Sequence, residues 1–162
     1  IAHPHAQVFA LEAVPRAVEE ALERVSAAGV DLVAIDGADD GLVVSRAGGV
    51  TTWCPAASTS KYLFRIAHAA AAERFDLASD DVVDTLAVAL RDSLRRLHAV
   101  LGNVAYNVVV HTAPRDRAPF HWYVEVTPRV SVVAGFEQAT GVLVNPAPPE
   151  GAAEALRSVS IS

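Results

Sequence analysis

From Arg16 to Ala28, Val18, Ala21, Leu22 and Val25 recur at three- and four-residue steps, with Glu19, Glu20 and Glu23 on the opposite side. That spacing predicts an amphipathic helix, with Pro15 at its start and Gly29 as its stop. A longer stripe runs through Val83, Leu86, Ala87, Leu90, Leu94, Leu97 and Leu101. Ser79 is placed to cap this second helix and Gly102 to end it. Elsewhere the apolar runs are short or alternate, which suits strands. Strands are expected over His5–Val14, Asp31–Ile35, Leu42–Arg46, Val50–Cys54, Tyr62–Ile66, Tyr106–His111 and His121–Thr127, with a shorter extended piece at Val142–Val144. Gly48-Gly49 joins two of them as a hairpin. Asp36–Gly41, Pro55–Ser60 and Thr112–Phe120 read as loops, and Pro148-Pro149-Glu150 opens a last short helix that runs to Arg157. No repeat of solenoid length and no linker divides the chain. The expected class is α+β, mostly antiparallel strands with one long helix packed on them.

Composition narrows the function classes. The net charge is −6 and Lys61 is the sole lysine, so no basic surface for nucleic acid is expected. No apolar run of about 18 residues exists to span a membrane, and no signal peptide opens the chain. Cys54, the single cysteine, cannot form an internal disulfide, so a reducing, cytoplasmic setting is expected. The sequence holds no methionine and opens directly in its richest motif. It therefore reads as a piece of something longer, or as one half of a split protein.

That motif is Ile1-Ala2-His3-Pro4-His5-Ala6-Gln7. Pro4 pushes His3 toward an extended backbone, and alternation along a strand puts His3, His5 and Gln7 on one face. Two imidazoles and an amide on one side of a stiff strand suit phosphoryl chemistry: one histidine can attack phosphorus while the amide holds a non-bridging oxygen. The plainer alternative is a pair of surface histidines near a terminus, or a tag remnant.

Several segments, in order, resemble one family. His3-Pro4-His5-Ala6-Gln7 resembles the active-site motif of galactose-1-phosphate uridylyltransferases, members of the histidine-triad superfamily. Cys54-Pro55-Ala56-Ala57-Ser58 with Tyr62 resembles the entry to that family's second repeat. Tyr106–Pro114 and His121–Arg129 resemble its last two strands, and Ala134-Gly135-Phe136-Glu137 with Asn145–Glu150 its hexose-phosphate loop and final helix. The resemblance implies a duplicated fold, with residues 1–30 ending the first repeat and residues 31–162 forming the second. It implies transfer of UMP between UDP-glucose and galactose-1-phosphate, a step of galactose metabolism, with no organic cofactor. His5 would be the nucleophile and Gln7 would hold the transferring phosphoryl group. Phe136, Glu137 and Asn145 would contact the sugar phosphate. The implied partners are a UDP-hexose, a hexose-1-phosphate, the N-terminal half of the same enzyme, and a second copy or a hetero-complex.

The sequence also departs from the family. His3 matches a zinc ligand of some members, whose other ligands are a Cys pair and a His of the first half; no Cys pair exists here. A zinc on His3 would need partners from outside the chain, and the alternative is a hydrogen bond within its own strand. The family's second His-x-His is broken, because Tyr123 follows His121. In some members this region and the position of His111 hold a second metal; with Tyr123 and Glu125 on the face of His121, iron or zinc is one reading. A structural or substrate-lining role for His111 and His121 is the other, and the favoured one. His68 and His98 read as ordinary histidines and Cys54 as core. Lys61 and Arg65 could reach a phosphate, though such exposed strand positions usually carry no function. Asp36, Asp39 and Asp40 read as a solvated loop. Competing functions are an enzyme using ADP-sugars or a sugar-1-phosphate adenylyltransferase with the same His5 chemistry, and a non-catalytic binding module of a split enzyme.

Overall fold

The computed structural model describes residues 5–9, 11–28, 34, 37–70, 74–117, 121–130 and 134–161. Its centre is a five-stranded antiparallel sheet. The strands are β1 (Val43–Ala47), β2 (Val50–Trp53), β3 (Phe64–His68), β4 (Tyr106–His111) and β5 (Tyr123–Pro128), in the spatial order β1-β2-β3-β5-β4. The β1–β2 turn is the expected glycine pair. Gly48 and Gly49 both take positive φ, 58° and 79°, which only residues lacking a Cβ adopt without strain.

Strand alternation sends side chains to two faces. On the first, Val44, Val50, Phe64, Ile66, Val124 and Val126 form the main core with Trp122. Helices α2 (Asp80–Leu101) and α4 (Pro149–Arg157) cover it with Leu86, Leu97, Ala152, Ala153 and Leu156. Cys54 is buried in this core, which pushes its thiol up to about 12 and leaves it an inert hydrophobe. Arg96 of α2 donates to the carbonyls of Leu156, Arg157 and Val159, closing the C-terminal end of α4 with a cation. On the second face, Val43, Trp53, Ala67, Ala113 and Tyr123 form a smaller cluster, against which α1 (Arg16–Ala28) packs Leu22 and Val25.

Both long helices and the last one form where the periodicity predicts. The strand expectations need four corrections. No strand forms at residues 5–9 or 11–14 of the expected His5–Val14 stretch. A strand exists only where a neighbour takes its N–H and C=O groups, and no strand of this sheet pairs there. Val142–Val144 is likewise unpaired and irregular. The third strand starts at Phe64 rather than Tyr62, because Tyr62 turns through a left-handed φ of 58°. The last runs Tyr123–Pro128 rather than from His121. The strand expected at Asp31–Ile35 falls outside the described residues, save Ala34, which is helical. Two elements went unpredicted: a 3-10 turn at Phe75–Leu77 and a short helix α3, Gly135–Thr140.

Candidate active site

His3 and Pro4 lie outside the described residues. His5 and Gln7 are exposed on irregular backbone, followed by Val8 and Phe9 at 98% and 74% exposure. Two large apolar side chains facing solvent beside the nucleophile candidate are an uncovered surface. No hydrogen bond or ion pair joins His5 or Gln7 to other described residues.

The second expected group is Phe136, Glu137 and Asn145. Phe136 and Glu137 sit on α3 and Asn145 follows shortly after it. Glu137 accepts from the backbone N–H of Ala134 at 2.7 Å and of Val144 at 3.1 Å, pinning both ends of the loop. These two bonds favour the ionised carboxylate and hold its pKa below the usual range. The Asn145 side chain donates to the Ser58 carbonyl at 3.2 Å and accepts from Ala147 N–H at 3.1 Å, tying this loop to the one after β2. Phe136 is 60% exposed. Two of the three expected sugar-phosphate contacts are therefore backbone staples here, and the third projects outward. A Glu three residues after the helix-start residue was the signal for α3.

A third group was recognised only in part: His111, Tyr123 and Glu125 were read together, but Arg65, expected to be an exposed strand position, is only 19% exposed and joins them. On the face opposite α2, β3 places Arg65 directly across from Glu125 of β5, and β4 places His111 across from Tyr123. Arg65 Nε donates to Glu125 Oε2 at 2.9 Å. His111 Nε2 lies 3.8 Å from Glu125 Oε1, an electrostatic contact too long for a hydrogen bond, and it has no hydrogen-bond partner among the described residues. The Tyr123 ring stacks on His111 at 4.7 Å and 17°, and the Arg65 guanidinium carbon lies 4.8 Å from the centre of the same ring. Burial pushes Glu125 toward protonation, but His111 and Arg65 beside it prevail and hold its carboxyl below the usual range. Burial also raises the Tyr123 phenol, which stays protonated at neutral pH.

His121 lies just before β5 in the chain. Its Nε2 lies 2.9 Å from the backbone carbonyl of His68, to which it donates. Among the described residues no three His, Cys, Asp or Glu side chains converge as a metal site would need. The residues that the resemblance implies for a second metal do not fit one here: one imidazole is bonded to a carbonyl, the other is stacked on a tyrosine, and the nearby carboxylate holds a guanidinium.

No family model matches the chain. Over its whole length it is 26% identical to the ADP-glucose phosphorylase of Arabidopsis thaliana, spanning 48% of that protein. A GalT-like protein from Arabidopsis thaliana superposes with a TM-score of 0.82 at 26% identity, covering 94% of this chain and 53% of the other. A uridylyltransferase superposes with a TM-score of 0.84 at 23% identity, covering 96% and 54%, which is a likeness of fold. The chain thus spans about half the length of the relatives it matches. No helix in the described residues is long and apolar enough to cross a membrane. Its α+β sheet, its ordered motifs and these likenesses agree: the chain is similar to about half of a GalT-like protein and of an ADP-glucose phosphorylase, consistent with the C-terminal half of galactose-1-phosphate uridylyltransferases, and it shares the histidine-triad type of fold.

Proposed function

We propose that this chain is the C-terminal portion of an enzyme that transfers a nucleotidyl group from a sugar nucleotide through a covalent histidine intermediate. The observation that carries this is the His-Pro-His-Ala-Gln motif at residues 3–7, in a chain alignable throughout with a sugar-nucleotide enzyme. In the first reading, a His5 ring nitrogen attacks the α-phosphorus of UDP-glucose. A P–N bond forms as the P–O bond to glucose-1-phosphate breaks, and the leaving phosphate carries away the electron pair. Gln7 holds a non-bridging oxygen as charge builds there. A phosphate oxygen of galactose-1-phosphate then attacks the same phosphorus, the P–N bond breaks, and His5 is regenerated with UDP-galactose released. The relative named as an ADP-glucose phosphorylase favours a second reading, in which ADP-glucose leaves an adenylyl group on His5 and inorganic phosphate removes it as ADP.

Base selection and much of the nucleotide pocket would come from the other half of the enzyme, whether joined in one polypeptide or supplied separately. The functional unit is a dimer or hetero-complex acting in the cytoplasm. A zinc on His3 would belong to that joint assembly.

The test is intact-mass spectrometry after brief incubation with UDP-glucose or ADP-glucose, with and without an N-terminal half, beside His5→Ala. A uridylyl or adenylyl adduct that vanishes in His5→Ala is the expected result, and its mass names the base. No adduct from either sugar nucleotide with both halves present would leave a non-catalytic module as the account.

A further inference from the structure

The second metal that the family resemblance implies would draw on the region of His111, His121 and Tyr123, and the geometry there raises a different use for it. A divalent cation needs at least three donors converging at about 2 Å. His111 Nε2 and Glu125 Oε1, 3.8 Å apart, are two donors that one ion could bridge. The rest of the shell is already committed. Glu125 Oε2 accepts from Arg65, His121 Nε2 donates to the His68 carbonyl, and Tyr123 is stacked on the imidazole of His111. Arg65 also lies against the Tyr123 ring. A metal between His111 and Glu125 would sit beside that guanidinium, and two cations sharing one carboxylate repel.

We infer that Arg65 supplies from the protein the positive charge that a bound metal would bring to this edge of the sheet, so that β3, β5 and β4 are fastened at Glu125 without an ion. One carboxylate then serves two cross-strand neighbours: Arg65 by a charge-assisted hydrogen bond, and His111 by proximity. The planar guanidinium meets both the carboxylate and the ring of Tyr123, which a spherical ion could not do. Tyr123, standing where the family's His-x-His has its second imidazole, is then no lost ligand but the surface on which both cationic-capable groups rest. This inference stands on the sheet geometry alone and is independent of which nucleotide His5 receives.

The test is metal content per chain after zinc, and separately iron(II), exposure and dialysis, for wild type, His111→Ala and Glu125→Gln. Thermal melts with and without EDTA accompany it, and Arg65→Gln is included. The same metal content in all three proteins is expected, together with a midpoint that Arg65→Gln lowers equally with and without EDTA. A metal at His3 would leave these differences untouched. Loss of one metal equivalent in either His111→Ala or Glu125→Gln overturns the inference, as does an EDTA-induced drop in the wild-type midpoint that His111→Ala removes. Should His111→Ala fail to fold, Glu125→Gln, which preserves shape, carries the same comparison.

Discussion

Glu125→Gln tests how much the charge on β5 matters. The substitution keeps the volume and one acceptor oxygen but leaves the Arg65 guanidinium facing a neutral amide. Removing one partner of a deeply buried pair costs about 3–5 kcal/mol. An exposed pair is worth less than about 1 kcal/mol. Arg65 and Glu125 side chains are 19% and 18% exposed, which places the loss between these limits, at about 2 kcal/mol. For a chain of 162 residues that is a fall of roughly 6 °C in the thermal midpoint. The pH dependence has a fixed sign. The folded carboxyl titrates below its ordinary range, so its contribution is complete above the unfolded value of about 4.3 and disappears as pH falls through the folded one. Melts of wild type and Glu125→Gln from pH 8 to pH 3 should show a constant gap that closes only below about pH 4. Replacing both partners with methionine should bring stability back to within about 1 kcal/mol of wild type, because no charge is then stranded. A gap under about 1 °C at neutral pH, or one unchanged at pH 3, would refute the reasoning.

Two further outcomes follow from the core and the hairpin. Trp122 is fully buried, meets Phe75 edge-on at 5.1 Å, and its indole N–H has no hydrogen-bond partner among the described residues. Trp122→Phe trades about 1 kcal/mol of cavity against about 1–3 kcal/mol of relieved desolvation, so denaturant melts should show a change within about 1 kcal/mol, whereas Trp122→Ala should lose about 3–5 kcal/mol. Gly49→Ala should cost about 2 kcal/mol or more, since φ is 79° and the new Cβ would meet His68 Nε2 at 2.9 Å; Gly102→Ala, at φ 71° but in open space, should cost about half of that in the same assay.

Local signals carried most of the fold. The helices at Arg16–Ala28, Asp80–Leu101 and Pro149–Arg157 were legible because a stripe every three or four residues and a Pro or Gly at the ends are written within a few turns of chain. The Gly48-Gly49 hairpin was legible for the same reason. The His5–Val14 stretch misled because alternating apolar residues state a capacity for pairing, while pairing itself depends on a neighbour. Arg65's place beside Glu125 and His111 was not legible for a related reason: β3 and β4 reach the same carboxylate only because β5 inserts between them, a strand order that no single segment encodes. Glu137 and Asn145 were picked out by family likeness as sugar contacts, and their bonds to Ala134, Val144, Ser58 and Ala147 are visible only once the loop is closed.

The two rims of the sheet are treated differently. At β1, Arg157 donates to the carbonyls of Asp40 and Val43, and a bulge between Val43 and Ser45 breaks the regular rim. At β4, Tyr106, Val108, Val109 and Val110 are all exposed, with no lysine, proline or bulge among the six residues. A rim of that kind offers its free amides to any extended chain that drifts past, whatever its origin. Among the described residues no strand pairs with the outer side of β4, so at high concentration sheet growth from that rim is a route by which chains would associate.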